Sequence, residues 1–184
     1  MNTYNKTNNR TQWLEFALLQ LVKHGPQHLT IAKLCDSKGV TKGSFYHHFK
    51  NRQLFIEALM EHWYQQMTIN FIEQANTEQG PLQRLEKLDQ VIASHDLQAE
   101  MHIRAWALNE PIIAVHLEKI DTQRQAYLQQ CFVDMQIPVC LATDMAMIGY
   151  AQFLGMQQLH PKPDFATISR LAELASSKFF EDVS

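Results

Sequence analysis

Thr30 to Phe49 reads T-I-A-K-L-C-D-S-K-G-V-T-K-G-S-F-Y-H-H-F. Thr30 and Thr41 each stand where a hydroxyl can accept from an unpaired backbone N–H at the start of a helix. Gly39, between them, can take the left-handed backbone that ends one helix and swings the chain into the next. Thr30 to Lys38 and Thr41 to Phe49 therefore read as two short helices, each too short to be stable alone. Ile31, Leu34, Cys35, Val40, Phe45 and Phe49 give each helix one inward face, and Ala32 and Cys35 are small enough for a close crossing. Upstream, Trp13, Ala17, Leu18, Leu21 and Val22 recur at three- and four-residue intervals. That spacing predicts an amphipathic helix from Arg10 to His24, closed by Gly25, which supplies the third wall of a small core.

With one face buried, Thr41, Lys42, Ser44, Tyr46, His47 and His48 are left outside, and all of them can hydrogen-bond or carry positive charge. A helix that reads duplex DNA needs a short hydrogen-bonding N-terminal end for base edges and donors to the phosphates on either side. Lys42 can donate to a guanine, Ser44 can bond a base edge or a phosphate, and Gly43 lets the backbone approach closely. Tyr46, His47 and His48 suit phosphate oxygens, as does Thr30 at the start of the preceding helix. Lys50 and Arg52 extend the basic edge. The charge agrees: residues 1–55 hold eight Lys or Arg against two acids, a net +6, whereas the remainder is −9 and the whole chain −3. A basic head on an acidic body points to a polyanionic partner for the head.

This stretch closely resembles the TetR family of bacterial transcriptional regulators. The resemblance rests on Leu29-Thr30-Ile31-Ala32, Gly39-Val40, the run from Lys42 to Lys50, and Asn51-Arg52-Gln53-Leu54. It implies an operator-binding head of three helices and a variable helical body that dimerises through its last two helices and usually holds a small-molecule inducer. Carried over by position, it implies DNA contacts at Thr30, Thr41, Lys42, Ser44, Tyr46, His47, His48 and Arg52. Lys38 departs from the family pattern, which more often has a small or apolar residue before the turn glycine; a lysine there either costs packing or extends the basic face.

Beyond residue 52 the periodicity predicts helices only: Asn51 to Ala75, then Leu82–His95, Gln98–Leu108, Pro111–Met135, Pro138–Leu159 and Asp164–Phe180. The fold class is all-α, with a DNA-binding head over 1–52 and an effector-binding and dimerisation domain over 53–184. The apolar faces of the last two helices, with Gly149 and Gly155 permitting close approach, suit a homodimer. Two heads spaced about one duplex turn, roughly 34 Å, would read a palindrome. Trp63, His102 and Trp106 are the candidate walls of an effector pocket, the last two sharing one helix face.

Other chemistries find little support. No catalytic motif is present, so the chain is not expected to be an enzyme. Adjacent histidines such as His47 and His48 diverge by about 100° on a helix and cannot readily chelate one ion, no H-x-x-x-H spacing is expected, and no metal or cofactor site is expected. Cys35, Cys131 and Cys140 are unpatterned and read as reduced core thiols. Without a run of 18 apolar residues or an apolar N-terminus, the chain is expected to be cytoplasmic, with no membrane partner. The opposing reading, a helical enzyme or protein-interaction module whose head is only a packed three-helix unit, is disfavoured by the +6 head and its polar outer face.

Overall fold

A computed structural model describes residues 10–161, 163–164, 166–168, 170–171 and 174. The predicted final helix, Asp164–Phe180, falls largely outside them. Among the described residues there is no strand. The helices are α1 (Arg10–His24), α2 (Ile31–Lys38), α3 (Lys42–His48), α4 (Arg52–Tyr64), α5 (Asn70–Ala75), α6 (Pro81–Ala93), α7 (Gln98–Ala107), α8 (Pro111–Asp134) and α9 (Val139–Met156). A π-helical turn, Gln65–Ile69, joins α4 to α5, so one helical run extends from Arg52 to Ala75 as the apolar spacing predicts. The chain folds as two compact units. The first comprises Met1–Phe71 and Asp96–Asp121, the second Ile72–His95 and Thr122–Ser184.

The first unit is built on an aromatic cluster. Phe45 of α3 and Phe49, the residue that closes that helix, are buried with Trp13 of α1 and Phe55 of α4. The Phe45 ring meets Trp13 at 5.5 Å and 87°, Phe55 at 5.3 Å and 64°, and Phe49 at 5.2 Å. Edge-on pairs of this kind add about 0.5–1.5 kcal/mol each beyond simple burial. Leu21, Leu34, Leu59, Trp63, Ile103 and Trp106 continue the same core into α7. A buried carboxylate, Glu100, is held by Arg104 at 2.7 Å, and the same guanidinium grips both oxygens of Asp121 at 2.7 and 3.0 Å. Pairing is what allows a charge only 2% exposed to stay buried.

Three local devices fix the motif. Thr30 Oγ1 accepts from the Lys33 N–H at 3.3 Å, and Asn51 Oδ1 from the Leu54 N–H at 2.8 Å, capping α2 and α4. Gly39 adopts φ 69°, ψ 35°, and the Val40 N–H reaches back to the Cys35 carbonyl at 3.0 Å, closing α2 as a glycine-terminated helix should close. The Cys35 thiol contacts the Thr41 carbonyl at 3.7 Å, tying α2 to the start of α3. Thr41 differs from expectation: it sits at the N-cap of α3 with extended backbone, but its hydroxyl makes no capping bond. Ala32 also differs, being exposed, so the close crossing rests on Cys35.

The second unit is joined by polar pairs between helices. Arg84 bonds Asp134 at 2.6 Å, Gln129 bonds Thr143 at 2.7 Å, and Arg124 reaches the Tyr150 hydroxyl at 3.3 Å. Tyr127 donates to Asn76 at 2.9 Å, and burial pushes its phenol up to about 12. Cys131 is buried as expected, whereas Cys140 is exposed and is no core thiol. Only 22% of α9 is buried. By length and composition alone α9 is apolar enough to cross a membrane, a feature that a search for unbroken apolar runs misses because Thr143 and Asp144 interrupt it.

Candidate nucleic-acid interface

Burying Phe45 and Phe49 decides what α3 shows to solvent. Thr41, Lys42, Gly43, Tyr46 and His47 are exposed, and Ser44 and His48 are half-buried. Tyr46, 51% exposed, lies edge-on to Phe45 at 5.7 Å and 88°, so its ring is steadied from behind while its hydroxyl stays outside. A Cβ added at Gly43 would meet only the Thr41 hydroxyl, at 3.4 Å, so inside the folded chain nothing requires glycine there. The missing side chain matters only to something approaching from outside.

The ten predicted contact residues fall into three places. Thr41, Lys42, Gly43, Ser44, Tyr46 and His47 share the first two turns of α3. Thr30 stands at the start of α2, its hydroxyl already engaged by the Lys33 N–H. His48, Lys50 and Arg52 line an open groove of about 1120 Å³ at the start of α4, together with Arg10, Glu110 and His116. Arg52 is not idle: its guanidinium bonds Glu110 at 2.9 Å. The Arg10 guanidinium lies over the Phe49 ring, 5.4 Å from its centroid.

Two sequence readings are corrected here. Lys38 does not extend the basic face. Its ammonium turns back onto α1, 4.7 Å from the Phe16 ring centroid and 5.3 Å from that of Trp13, where burial lowers its pKa. The lysine thus packs by cation–π contact. His24 and His28 correct the expectation about i, i+4 histidines: H-G-P-Q-H has that spacing, and the two rings lie 4.5 Å apart at 30°. Among the described residues no group of three or more metal-ligating side chains joins them. Of the candidate effector walls, Trp63 and Trp106 are 1% and 5% exposed inside the first unit's core, and His102 is half-buried.

Residues 14–59, the span from α1 through most of α4, match the family model described as "Bacterial regulatory proteins, tetR family". This head is similar to that of the TetR family. The same head is where curated relatives align. The chain is 36% identical over 85 residues to the "Probable acrEF/envCD operon repressor" of Escherichia coli K12, covering 43% of this chain and 37% of that one. It is 26% identical over 76 residues to the "HTH-type transcriptional repressor KstR2" of Mycolicibacterium smegmatis, covering 41% and 37%. The matched segment therefore spans little more than a third of the length of those relatives. The fold likeness runs much further: the crystal structure of reduced Escherichia coli NemR superposes with a TM-score of 0.77 over 91% of this chain and 96% of NemR, at 17% identity. At that identity the likeness shows the all-α fold alone, and nothing of what the chain binds.

Proposed function

We propose that this chain is a DNA-binding transcriptional regulator, a repressor that binds a palindromic operator as a homodimer and releases it in response to a small molecule. The observation that carries the reading is the division of α3. Its aromatic half is committed to a rigid core, and its polar half, from Thr41 to His47, is exposed around a glycine that the fold itself does not need. Base edges fall to Lys42 and Ser44, and phosphates to Thr30, Tyr46, His47, His48, Lys50 and Arg52. The functional division we assign is DNA contact by residues 1–52 and effector binding and dimerisation by residues 53–184, in the cytoplasm. Repressor names among the relatives that share the head support the sign of regulation.

The dimer reading is supported by α9, which leaves Val139, Met147 and Ile148 61%, 57% and 43% exposed and keeps open space beside Gly149 and Gly155. A partner's equivalent helix would cover Met147 and Ile148, with Gly155 on the same side allowing close approach. For the effector, Trp63, His102 and Trp106 remain the proposed walls. Because the two indoles are packed in the core, a ligand lodging there must displace side chains, and it would favour a conformation other than the ligand-free one.

The test is binding of a labelled duplex followed by anisotropy at several salt concentrations. Phosphate-dominated binding weakens steeply as salt rises. Tyr46→Ala weakens binding to every sequence alike, and Lys42→Ala changes the preference among sequences. Binding that is absent at low salt, or indifferent to salt, contradicts the proposal.

A further inference from the structure

Arg52 and Glu110 are 58 positions apart in sequence yet form an ion pair at the edge of the proposed interface. Arg52 occupies the first position of α4, immediately after the Asn51 cap. Glu110 occupies the start of α8, where its carbonyl accepts from the N–H groups of Ile113 at 3.0 Å and Ala114 at 3.3 Å. Each side chain is thus anchored by a helix terminus. Between them Arg52 Nη2 donates to Glu110 Oε2 at 2.9 Å, with the two side chains 43% and 26% exposed. Both line the same open groove. The other carboxylates on that wall are engaged differently: Glu57 accepts from Gln53 at 3.1 Å and Glu61 from Gln65 at 3.0 Å.

A carboxylate and a phosphate present the same kind of acceptor to a guanidinium, and one can replace the other on its N–H edge. We propose that Glu110 is a competitor for Arg52: in the DNA-free chain its carboxylate holds the guanidinium that a backbone phosphate takes on binding, so docking requires one anion to be exchanged for another. This rests on the reading of Arg52 as a phosphate contact. The pair is solvent-exposed, so its hold is modest and the exchange is reversible. Its consequence is a head whose affinity is deliberately held below what its basic residues could deliver. It also makes the contribution of Arg52 nearly salt-neutral, because the pair is already electrically compensated before DNA arrives.

The experiment uses the full chain and a random-sequence duplex of about 30 base pairs at low salt, since phosphate contacts do not depend on sequence. Glu110→Gln should tighten binding about two- to fivefold per head, the factor expected for an exposed ion pair. It should also steepen the slope of log K against log salt by about 0.9 per head, the value of one added uncompensated phosphate contact. Arg52→Ala should weaken binding, and in that background Glu110→Gln should give no more than the general charge effect of Glu61→Gln. Glu61→Gln adds the same unit of charge on the same wall without touching Arg52, and should produce the smaller effect. Thermal melting of each variant checks that the fold is retained. The proposal is overturned if Glu110→Gln weakens binding, which would make Glu110 an orienting residue for Arg52, or if its gain equals that of Glu61→Gln or its excess over Glu61→Gln survives Arg52→Ala. A wild-type chain that binds no duplex at all would instead sink the DNA-binding reading itself, and this proposal with it.

Discussion

Replacing Gly43 by alanine should move stability and DNA affinity in opposite directions. Gly43 is the second residue of α3, is exposed, and does not adopt a left-handed backbone. The added methyl would meet only the Thr41 hydroxyl at 3.4 Å, an ordinary contact. Alanine is worth up to about 1 kcal/mol over glycine in a helix interior. So close to the helix start a gain of about 0.5 kcal/mol is reasonable, part of it from a less flexible unfolded chain. For a protein of this length that corresponds to a rise in Tm of about 1–2 °C. On DNA the same methyl stands between the helix and the surface it approaches. Loss of one charge-assisted hydrogen bond per head, at about 1.5–3 kcal/mol, predicts at least tenfold weaker binding. The pair of assays is a thermal melt and an anisotropy titration on one preparation. A variant that melts higher and binds as well as, or better than, the parent would refute the placement of Gly43 against DNA. Weakened binding with a lowered Tm would show only that α3 had been damaged.

Further outcomes follow from the packing. Phe45→Ala removes the centre of the aromatic cluster and should cost about 3–5 kcal/mol in urea unfolding; a loss below about 1 kcal/mol would contradict the cluster's role, and Phe45→Leu should cost distinctly less than alanine. Gln136 holds φ 67° after the end of α8, a conformation that favours glycine, so Gln136→Gly should raise stability by about 0.5–1 kcal/mol, read as a higher Tm; a lowered Tm would show that its side chain matters more than its backbone. Met147→Lys, on the exposed apolar face of α9, should convert a sedimenting dimer into monomer and weaken operator binding with it; an unchanged dimer would move the interface elsewhere. Burial lowers the pKa of His62 from its ordinary 6.5, with Glu15 offsetting part of the shift. The unfolded chain then binds more protons than the folded one as pH falls through 6.5, so stability is held above that pH and declines below it. His62→Gln should flatten that decline, and an equally steep profile in the variant would clear His62 of it.

The parts of the fold that were legible in the sequence are those encoded locally. Gly39, Thr30, Asn51 and the Phe45–Phe49 spacing each specify a turn, a cap or a buried face within a few residues, and the helix limits they predict agree with the structure to within about three positions. Features set by partners far away in the chain were not legible. Nothing near Lys38 says that its ammonium turns onto Phe16 and Trp13 rather than outward. Nothing near Arg52 announces Glu110, 58 residues later, because an ion pair across helices leaves no periodicity. Thr41 shows the limit of cap reasoning: the residue type and backbone are right, yet the hydroxyl is left uncommitted by capping, where a ligand can use it. The i, i+4 spacing of His24 and His28 is explicit in H-G-P-Q-H and was legible locally. An effector pocket is the least legible feature, since an aromatic at helical spacing looks the same whether it lines a cavity or fills a core.

The central claim, that the exposed half of α3 reads duplex DNA twice in one dimer, is tested most directly by selecting bound duplexes from a random-sequence pool with the full-length chain. The account predicts enrichment of an inverted repeat whose half-sites are centred about one duplex turn apart, and loss of that enrichment when Lys42 is replaced. Recovery of unenriched sequence, or of a site that Lys42→Ala selects equally well, would contradict it.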